Sequence, residues 1–265
     1  MHTLQVNGAK LTYRLDAAAG SAAPLLVLSN SLGTRMEMWD AQLAGLVPRF
    51  RVLRYDTRGH GRSEVGAHPY SFDLLGQDVL ALADEVGEEQ FDFCGLSMGG
   101  LTGQWLGIHA PERVRRLVLS NTAALIGTPA TWNPRIELVR AQGMQALTEG
   151  VLERWFTAGF RDTHPMAVAP VRANLLTTPA QGYAACCEAI RDADFRDAIA
   201  NIRAPTLVIA GAFDPSTPPA DGAFLAGRIP NARYVELPCA HLSNIECANE
   251  FNQALDVFFK ETHHG

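Results

Sequence analysis

The sequence of 265 residues has no long apolar run, no basic block and little cysteine. No apolar stretch approaches the ~20 residues that a membrane-spanning helix needs. Residues 1–10 also lack the apolar core of a signal peptide. The net charge is −6 with no basic stripe, which argues against nucleic acid as a partner. Because a negative surface does not attract anions, an anionic substrate would need cations close to its binding site.

The scarce cysteines exclude further classes of protein. The five residues form no C-x-x-C pair and have no zinc-site spacing: Cys94, Cys186, Cys187, Cys239 and Cys247. Their odd number argues against a disulfide framework and predicts thiols in a reducing cytoplasm. A nucleotide-binding module is also disfavoured, because no G-x-G-x-x-G follows the first buried strand.

One turn dominates what the sequence does contain. An apolar run at 91–94 predicts a buried strand, a helical pattern begins after Ser97, and Gly95-Leu-Ser-Met-Gly99 lies between them. A tight reversal from strand to helix strains its central residue and exposes that side chain. The helix N-terminus favours negative charge beside it. We therefore predict that Ser97 is a nucleophile.

Strand and helix patterns alternate along the chain. After a hairpin turning at Asn7-Gly8, apolar runs predict strands at 25–28, 52–55, 91–94, 117–119, 206–210 and 233–237. This alternation predicts an α/β fold with a mostly parallel sheet flanked by helices. Right-handed crossovers place the strand C-terminal ends at one edge of the sheet, where ligands bind.

The pattern changes in the middle of the chain. Residues 122–200 contain no strand-like run, and prolines break them into helical stretches near 134–142, 144–158 and 181–190. Such a length without a strand favours an inserted helical lid. We predict core segments at 1–122 and 201–265, with the lid at 123–200.

A serine nucleophile needs a base, which is usually a histidine. Of eight histidines, only His241 follows a late strand at the predicted ligand edge. His60 lies at that edge but precedes the nucleophile, and its Gly-His-Gly context favours a structural turn. The chain order Ser…Asp…His therefore favours His241 as the base.

The base in turn needs a carboxylate to orient it. Asp214 follows the strand before the last, in Gly211-Ala-Phe-Asp-Pro215, although an aspartate before proline also favours an Asx turn. The rivals Asp221 and Glu236 are predicted inside a helix and a strand, so Asp214 is preferred. Acyl transfer also needs oxyanion donors, for which we predict the backbone N–H groups of Met98 and Leu32.

These motifs together resemble a known family. The α/β-hydrolases share the order of Ser29-Asn-Ser-Leu-Gly33, Asp56-Thr-Arg-Gly-His-Gly-Arg-Ser63, Gly95-Leu-Ser-Met-Gly99, the Asp214 loop and Ala-His241. Most members carry His-Gly in the first loop, where this sequence has Asn30-Ser31. Within that superfamily, two stretches are similar to the 3-oxoadipate enol-lactonases: 28–34, and 120–129 followed by Trp132-Asn-Pro-Arg-Ile136.

The resemblance implies a cofactor-free hydrolase that opens a small-molecule substrate, the enol-lactone of 3-oxoadipate. This substrate carries a carboxylate, which an arginine suits. Arg135 is the first candidate because it follows Trp132 at the start of the predicted lid, and Arg35 is the second. Trp132 is predicted to wall the pocket.

Other functions of this fold stay open from the sequence. A general esterase, a perhydrolase or a carbon–carbon bond hydrolase would use the same three catalytic residues. A haloalkane dehalogenase is disfavoured, because it would need an aspartate where Ser97 stands. A ligand receptor with a hydrolase fold is an alternative of another class.

Overall fold

The computed structural model describes residues 1–18 and 20–260, so residues 261–265 of the predicted second core segment lie outside the described residues. Within these ranges eight strands form one sheet, in the order β1-β2-β4-β3-β5-β6-β7-β8. The strands are β1 His2–Val6, β2 Ala9–Asp16, β3 Leu25–Ser29, β4 Arg51–Tyr55, β5 Phe91–Leu96, β6 Val114–Ser120, β7 Thr206–Gly211 and β8 Ala232–Leu237.

The sheet has the mostly parallel character that the alternating pattern predicts. β1 and β2 form the predicted antiparallel hairpin, β2 pairs antiparallel with β4, and all other neighbours are parallel. Every residue of β3 and β5 is buried, which explains their continuous apolar runs. The fold class is confirmed, and the ends of β3, β5, β6 and β7 meet at one edge of the sheet.

Helices flank this sheet. Those of the core are α1 Asp40–Leu46, α2 Phe72–Glu85, α3 Met98–His109, α9 Pro219–Arg228, α10 Ser243–Glu246 and α11 Ala248–Lys260, with a 3₁₀ turn at Met36–Trp39. None of the helices in the described ranges has the length and apolar content needed to span a membrane.

The stretch between β6 and β7 is helical, and none of its residues is in a strand. It contains α4 Pro129–Gln142, α5 Thr148–Trp155, α6 Ala158–Thr163, α7 Pro165–Thr177 and α8 Ala180–Asp192, with 3₁₀ turns at Met144–Ala146 and Ala198–Asn201. α4 packs against α8. We keep the division at residues 123–200 as a prediction and call this stretch the lid segment.

The predicted helix bounds in the lid segment are partly wrong. α4 begins at Pro129 instead of residue 134, and the helix predicted at 144–158 is divided into a 3₁₀ turn and α5. The helix α7 was not predicted at all, because Pro165 and Pro170 indicated breaks. Pro165 instead occupies the first turn of α7, where the missing N–H would have no partner.

Candidate active site

The turn between β5 and α3 holds Ser97 in a strained conformation, with φ 60° and ψ −112°. The strain is possible because the backbones around it approach closely. A Cβ atom at Gly95 would collide with the carbonyl oxygen of Gly99, and one at Gly99 with that of Ser29. The Ser97 carbonyl accepts a 2.8 Å hydrogen bond from the Thr122 hydroxyl. The turn is therefore fixed from both sides.

His241 and Asp214 form a buried pair on neighbouring loops, after β8 and β7 respectively. His241 Nδ1 lies 2.7 Å from Asp214 Oδ2. Only 3% of each residue is exposed. With Nδ1 bound to the carboxylate, Nε2 is the nitrogen left to exchange a proton with a hydroxyl. The structure thus joins the predicted base to the predicted acid.

The loop around Asp214 satisfies both of its carboxylate oxygens. Oδ1 accepts from the backbone N–H groups of Ser216 and Thr217 at 2.8 and 3.1 Å, and Oδ2 accepts from the Thr217 hydroxyl at 2.7 Å. Burial raises the pKa of Asp214, but the charge of His241 and the side-chain hydrogen bonds from His241, Asn121 and Thr217 outweigh it, so that the pKa lies below its usual value. The group is therefore an anion at neutral pH.

The rival carboxyl of Asp221 lies on α9 and, among the described residues, forms no hydrogen bond with His241. Burial, and then the charge of Asp214, raise the pKa of Asp221. The remaining rival, Glu236, is exposed within β8 and receives a hydrogen bond from the Tyr234 hydroxyl. Of the three predicted acids, only Asp214 contacts His241.

Asn121, at the end of β6, is a member of this site that sequence reasoning did not assign. Its Nδ2 donates to Asp214 Oδ2 at 3.1 Å and to the Ala240 carbonyl at 3.2 Å. Its Oδ1 accepts from the hydroxyls of Ser120 and Ser243. One buried amide thus connects the acid to the loop that carries His241. The only sequence signal was its position at a strand end.

The loop that carries His241 is also tied to the lid segment. The Glu246 carboxylate accepts from the Ala240 N–H at 3.0 Å and from both the N–H and the hydroxyl of Thr157. The Leu242 N–H donates to the Trp155 carbonyl at 3.0 Å. These contacts fix the histidine loop against the end of α5.

The loop after β3 faces the nucleophile turn, with the predicted oxyanion donors on the two sides. Met98 is the first residue of α3, where a helix N–H has no internal partner. Within the described residues, no acceptor is assigned to the Leu32 N–H. Asn30 accepts from Gly99 N–H at 3.0 Å through its carbonyl and donates to the Tyr55 carbonyl at 2.7 Å through its side chain. Asn30 therefore holds this loop in place between β4 and α3.

A cavity of about 550 Å³ joins these elements. The core contributes Leu32, Ser97 and His241 to its wall, and the lid segment contributes Trp132, Arg135 and Arg154. No aspartate or glutamate among the described residues lines it. The lining is mostly apolar. Its cations lie on the lid side, and the Ser97 hydroxyl and the His241 imidazole lie on the core side.

A family model described as the α/β-hydrolase fold matches residues 24–248. This chain belongs to the α/β-hydrolase family. Two relatives in Acinetobacter baylyi are 3-oxoadipate enol-lactonase 2, 45% identical over 97% of this chain and 96% of its own, and 3-oxoadipate enol-lactonase 1, 42% identical over 90% and 89%. The crystal structure of the enol-lactonase from Burkholderia xenovorans is 47% identical, with a TM-score of 0.97 over 98% of this chain and 100% of its own. The resemblance to the enol-lactonases is confirmed, and the chain is a hydrolase.

His60 has a structural place in this hydrolase. Its Nε2 accepts from the Gly33 N–H at 2.9 Å, and its Nδ1 faces the Arg58 carbonyl at 3.2 Å, so the neutral ring joins two loops. Burial lowers the pKa of His60 to about 4. The predicted structural turn at 59–61 therefore also supports the loop after β3.

The buried neutral His60 should make the hydrolase less stable in acid. The unfolded chain binds the proton below about pH 6.5, whereas the folded chain binds it only near pH 4, so stability falls as pH falls through this window. When the pH is lowered from neutral to about 4.5, the unfolding free energy of the wild type should fall by about 2–3 kcal/mol more than that of His60→Gln. Urea unfolding at both pH values measures this.

The exposed His68→Gln is the matched control for removing a histidine from the chain. If His60→Gln and the wild type lose equal stability on acidification, His60 does not titrate as the structure implies.

Trp132 and Arg135 form one aromatic and cationic wall of the hydrolase cavity. The Trp132 indole N–H donates to the Ile126 carbonyl at 2.6 Å. The Arg135 guanidinium lies 5.2 Å from the Trp132 ring centroid and 5.4 Å from that of Tyr183, and its Nη2 donates to the Tyr183 hydroxyl. Arg135 is half-buried, and these contacts fix the orientation of its guanidinium group.

Of the two arginines predicted to bind the substrate carboxylate, the second, Arg35, lies outside the cavity, and an arginine that was not predicted lines it instead. Arg35 forms a 3.1 Å ion pair with Glu37 and is not among the described residues that line the cavity. Arg154, on α5, does line it. Burial, and then the charge of Arg135, lower the pKa of Arg154, so the two cations are electrostatically coupled. No single signal in the sequence distinguished Arg154 from other lid arginines.

Proposed function

We propose that this hydrolase opens 3-oxoadipate enol-lactone to 3-oxoadipate, with Ser97, His241 and Asp214 as its catalytic residues. The observation that carries the proposal is the shared cavity in which Ser97 and His241, the latter bound to Asp214, lie on the core side and the cation Arg135 lies on the lid side. The similarity to enol-lactonases over almost the whole chain supports the same substrate.

The first half of the reaction transfers the acyl group to the enzyme. The hydroxyl of Ser97 attacks the lactone carbonyl, and its proton moves to Nε2 of His241. The negative charge of Asp214 stabilises the imidazolium that forms. The carbonyl electron pair moves onto oxygen, where the N–H groups of Leu32 and Met98 are proposed to receive it.

Collapse of this intermediate breaks the ring C–O bond. The electron pair leaves with the enol oxygen, which is a better leaving group than an ordinary alkoxide, and His241 returns the proton to it. The enol then tautomerises to the ketone. Water next attacks the acyl-enzyme, gives a proton to His241, and releases the carboxylic acid as Ser97 regains its proton.

The substrate carboxylate is not part of this chemistry and needs its own partner. Arg135 is proposed to bind it, because a planar guanidinium matches a carboxylate and Trp132 and Tyr183 fix its plane. Trp132 is proposed to form the wall against which the lactone ring packs.

Loss of the ultraviolet absorbance of the enol-lactone tests this function. The wild type should turn over the enol-lactone with a higher kcat/KM than simple aryl esters or ring-cleavage dienoates. A preference for aryl esters would support the general esterase instead, and a preference for dienoates would support the carbon–carbon bond hydrolase. An initial burst with an aryl ester but almost no steady-state turnover of any substrate would support the receptor.

Replacing Arg135 with alanine should lower kcat/KM for the enol-lactone. Truncating one partner of a buried, hydrogen-bonded charge pair costs roughly 2–5 kcal/mol. The loss should be much smaller for a neutral aryl ester, which has no carboxylate to bind. Arg135→Lys should recover only part of the loss, because lysine keeps the charge but not the planar fork.

Arg140→Ala is the matched control, since Arg140 lies on the same helix and is paired with Glu188 at the surface. Equal losses for Arg135→Ala on charged and neutral substrates would assign Arg135 to lid packing. No loss on either substrate would move the carboxylate site away from Arg135.

We also propose that the enzyme acts in the cytoplasm, as the cysteine count indicates. All five cysteines are buried and unpaired. A reducing compartment preserves such thiols.

A further inference from the structure

Arg154 differs from the arginines of the lid segment that pair with carboxylates. Arg140, Arg172 and Arg191 each form an ion pair with a carboxylate. Within the described residues, no ion pair or hydrogen bond joins Arg154 to another group, although its side chain lines the cavity. Arg154 is half-buried and lines the substrate space, where the charge of Glu153 offsets only part of the effects of burial and of Arg135 on its pKa.

The charge distribution of the cavity is one-sided. Arg135 and Arg154 face it from α4 and α5, and no carboxylate of the described residues lines it. Arg135 Nε is buried and has no hydrogen-bond partner among those residues. Burial, and then the charge of Arg135, lower the pKa of Arg154, so the two cations repel each other across the cavity. An anion between the two guanidinium groups would remove this repulsion.

The net charge of the whole chain favours a second cation beside the binding site of an anionic substrate. The net charge is −6, so the surface as a whole repels anions. A single guanidinium that already donates to the Tyr183 hydroxyl has fewer donors to offer. A second arginine on a neighbouring helix supplies both the missing donors and the missing charge.

We propose that Arg154 is a second substrate-binding arginine, which together with Arg135 holds a carboxylate and selects esters and lactones that carry one at the end remote from the scissile bond. This inference rests on the proposed function only in so far as Ser97 cleaves an ester bond in the same cavity. It assigns the specificity of the site to a pair of cations from two lid helices.

Two esters that differ only in the remote group test the proposal. Mono-para-nitrophenyl glutarate ends in a carboxylate, whereas para-nitrophenyl pentanoate has the same acyl length and ends in a methyl group. The ratio of their kcat/KM values reports carboxylate recognition. The neutral ester also shows whether each variant is folded and active.

Arg154→Ala should lower this ratio by about 10- to 100-fold, the effect of losing a hydrogen bond to a charged group. Arg154→Lys should recover part of it, because the charge remains. Arg172→Ala is the matched control, since Arg172 is a lid arginine that pairs with Glu149 away from the cavity, and its ratio should equal the wild-type ratio. Glutarate should inhibit pentanoate hydrolysis more weakly in Arg154→Ala than in the wild type.

The double variant shows whether both arginines hold one carboxylate. Arg135→Ala with Arg154→Ala should lower the ratio by less than the product of the two single effects, because residues that share a partner are coupled. Independent effects that multiply would overturn the shared site. An unchanged ratio in Arg154→Ala, or an equal loss on both esters, would overturn the role of Arg154.

These outcomes separate this inference from the proposed function. A wild type that prefers the carboxylated ester but leaves the enol-lactone intact would refute the lactone substrate and retain the arginine pair. A wild type that hydrolyses the enol-lactone, with a ratio that Arg154→Ala does not change, would do the reverse.

Discussion

Ser97→Ala should lower kcat by a factor on the order of 10⁶, because removing a triad nucleophile leaves no group that can carry the acyl intermediate. The loss should be the same for the enol-lactone and for an aryl ester, since both need the same attack. The fold should persist, because the variant keeps the Cβ atom and the backbone contacts of the turn. Steady-state kinetics and urea unfolding measure the two effects.

Ser31→Ala is the matched control in the same cavity, and it should lose far less activity because its hydroxyl takes no part in proton transfer. A fluorophosphonate probe should label the wild type once, at Ser97, and should leave Ser97→Ala unmodified. Near-normal turnover in Ser97→Ala would refute the acyl-enzyme mechanism as a whole.

Asp214→Asn should lower kcat on the order of 10⁴-fold. The asparagine amide would donate to Nδ1 of His241, which leaves the proton on Nε2, the nitrogen that must accept one from Ser97. The negative charge that stabilises the imidazolium is lost as well. Hydrolysis of an aryl ester across a pH series would measure this loss.

Asp221→Asn is the control for this variant, since it removes a nearby carboxyl that does not contact His241. We expect it to retain most of the activity. A larger loss in Asp221→Asn than in Asp214→Asn would mean that the acid has been assigned to the wrong residue.

The sequence located the elements of the site because strand ends are easy to recognise. Continuous apolar runs mark buried parallel strands, and the topology of such a sheet brings their C-terminal ends together. Ser97 and Asp214 each follow such a run, and His241 follows a strand of mixed residues at the same edge, so strand ends and chain order were enough to predict all three. The structure places the Asp214–His241 contact at hydrogen-bonding distance.

The residues that sequence reasoning missed depend on contacts between segments distant in the chain. Asn121 contacts Asp214 across 93 residues, and no local pattern encodes that partner. Arg154 lines the cavity whereas Arg140 pairs with Glu188 at the surface, and this difference depends on how the lid helices pack. The helix α7 was missed for a different reason, since Pro165 predicts a helix start as well as a break and the local sequence does not decide between them.

The hydrogen bonds from Thr157 and Ala240 to Glu246 make the lid and the histidine loop depend on each other. A lid transplanted from another hydrolase would bring its own residue at position 157 but would meet the Glu246 of this chain. The mismatch would deprive a half-buried carboxylate of its lid donors, leaving only the Ala240 N–H, and would loosen the loop that carries His241. Exchanging the lid, which includes residues 155–157, should therefore preserve turnover only when α10 with Glu246 is exchanged as well.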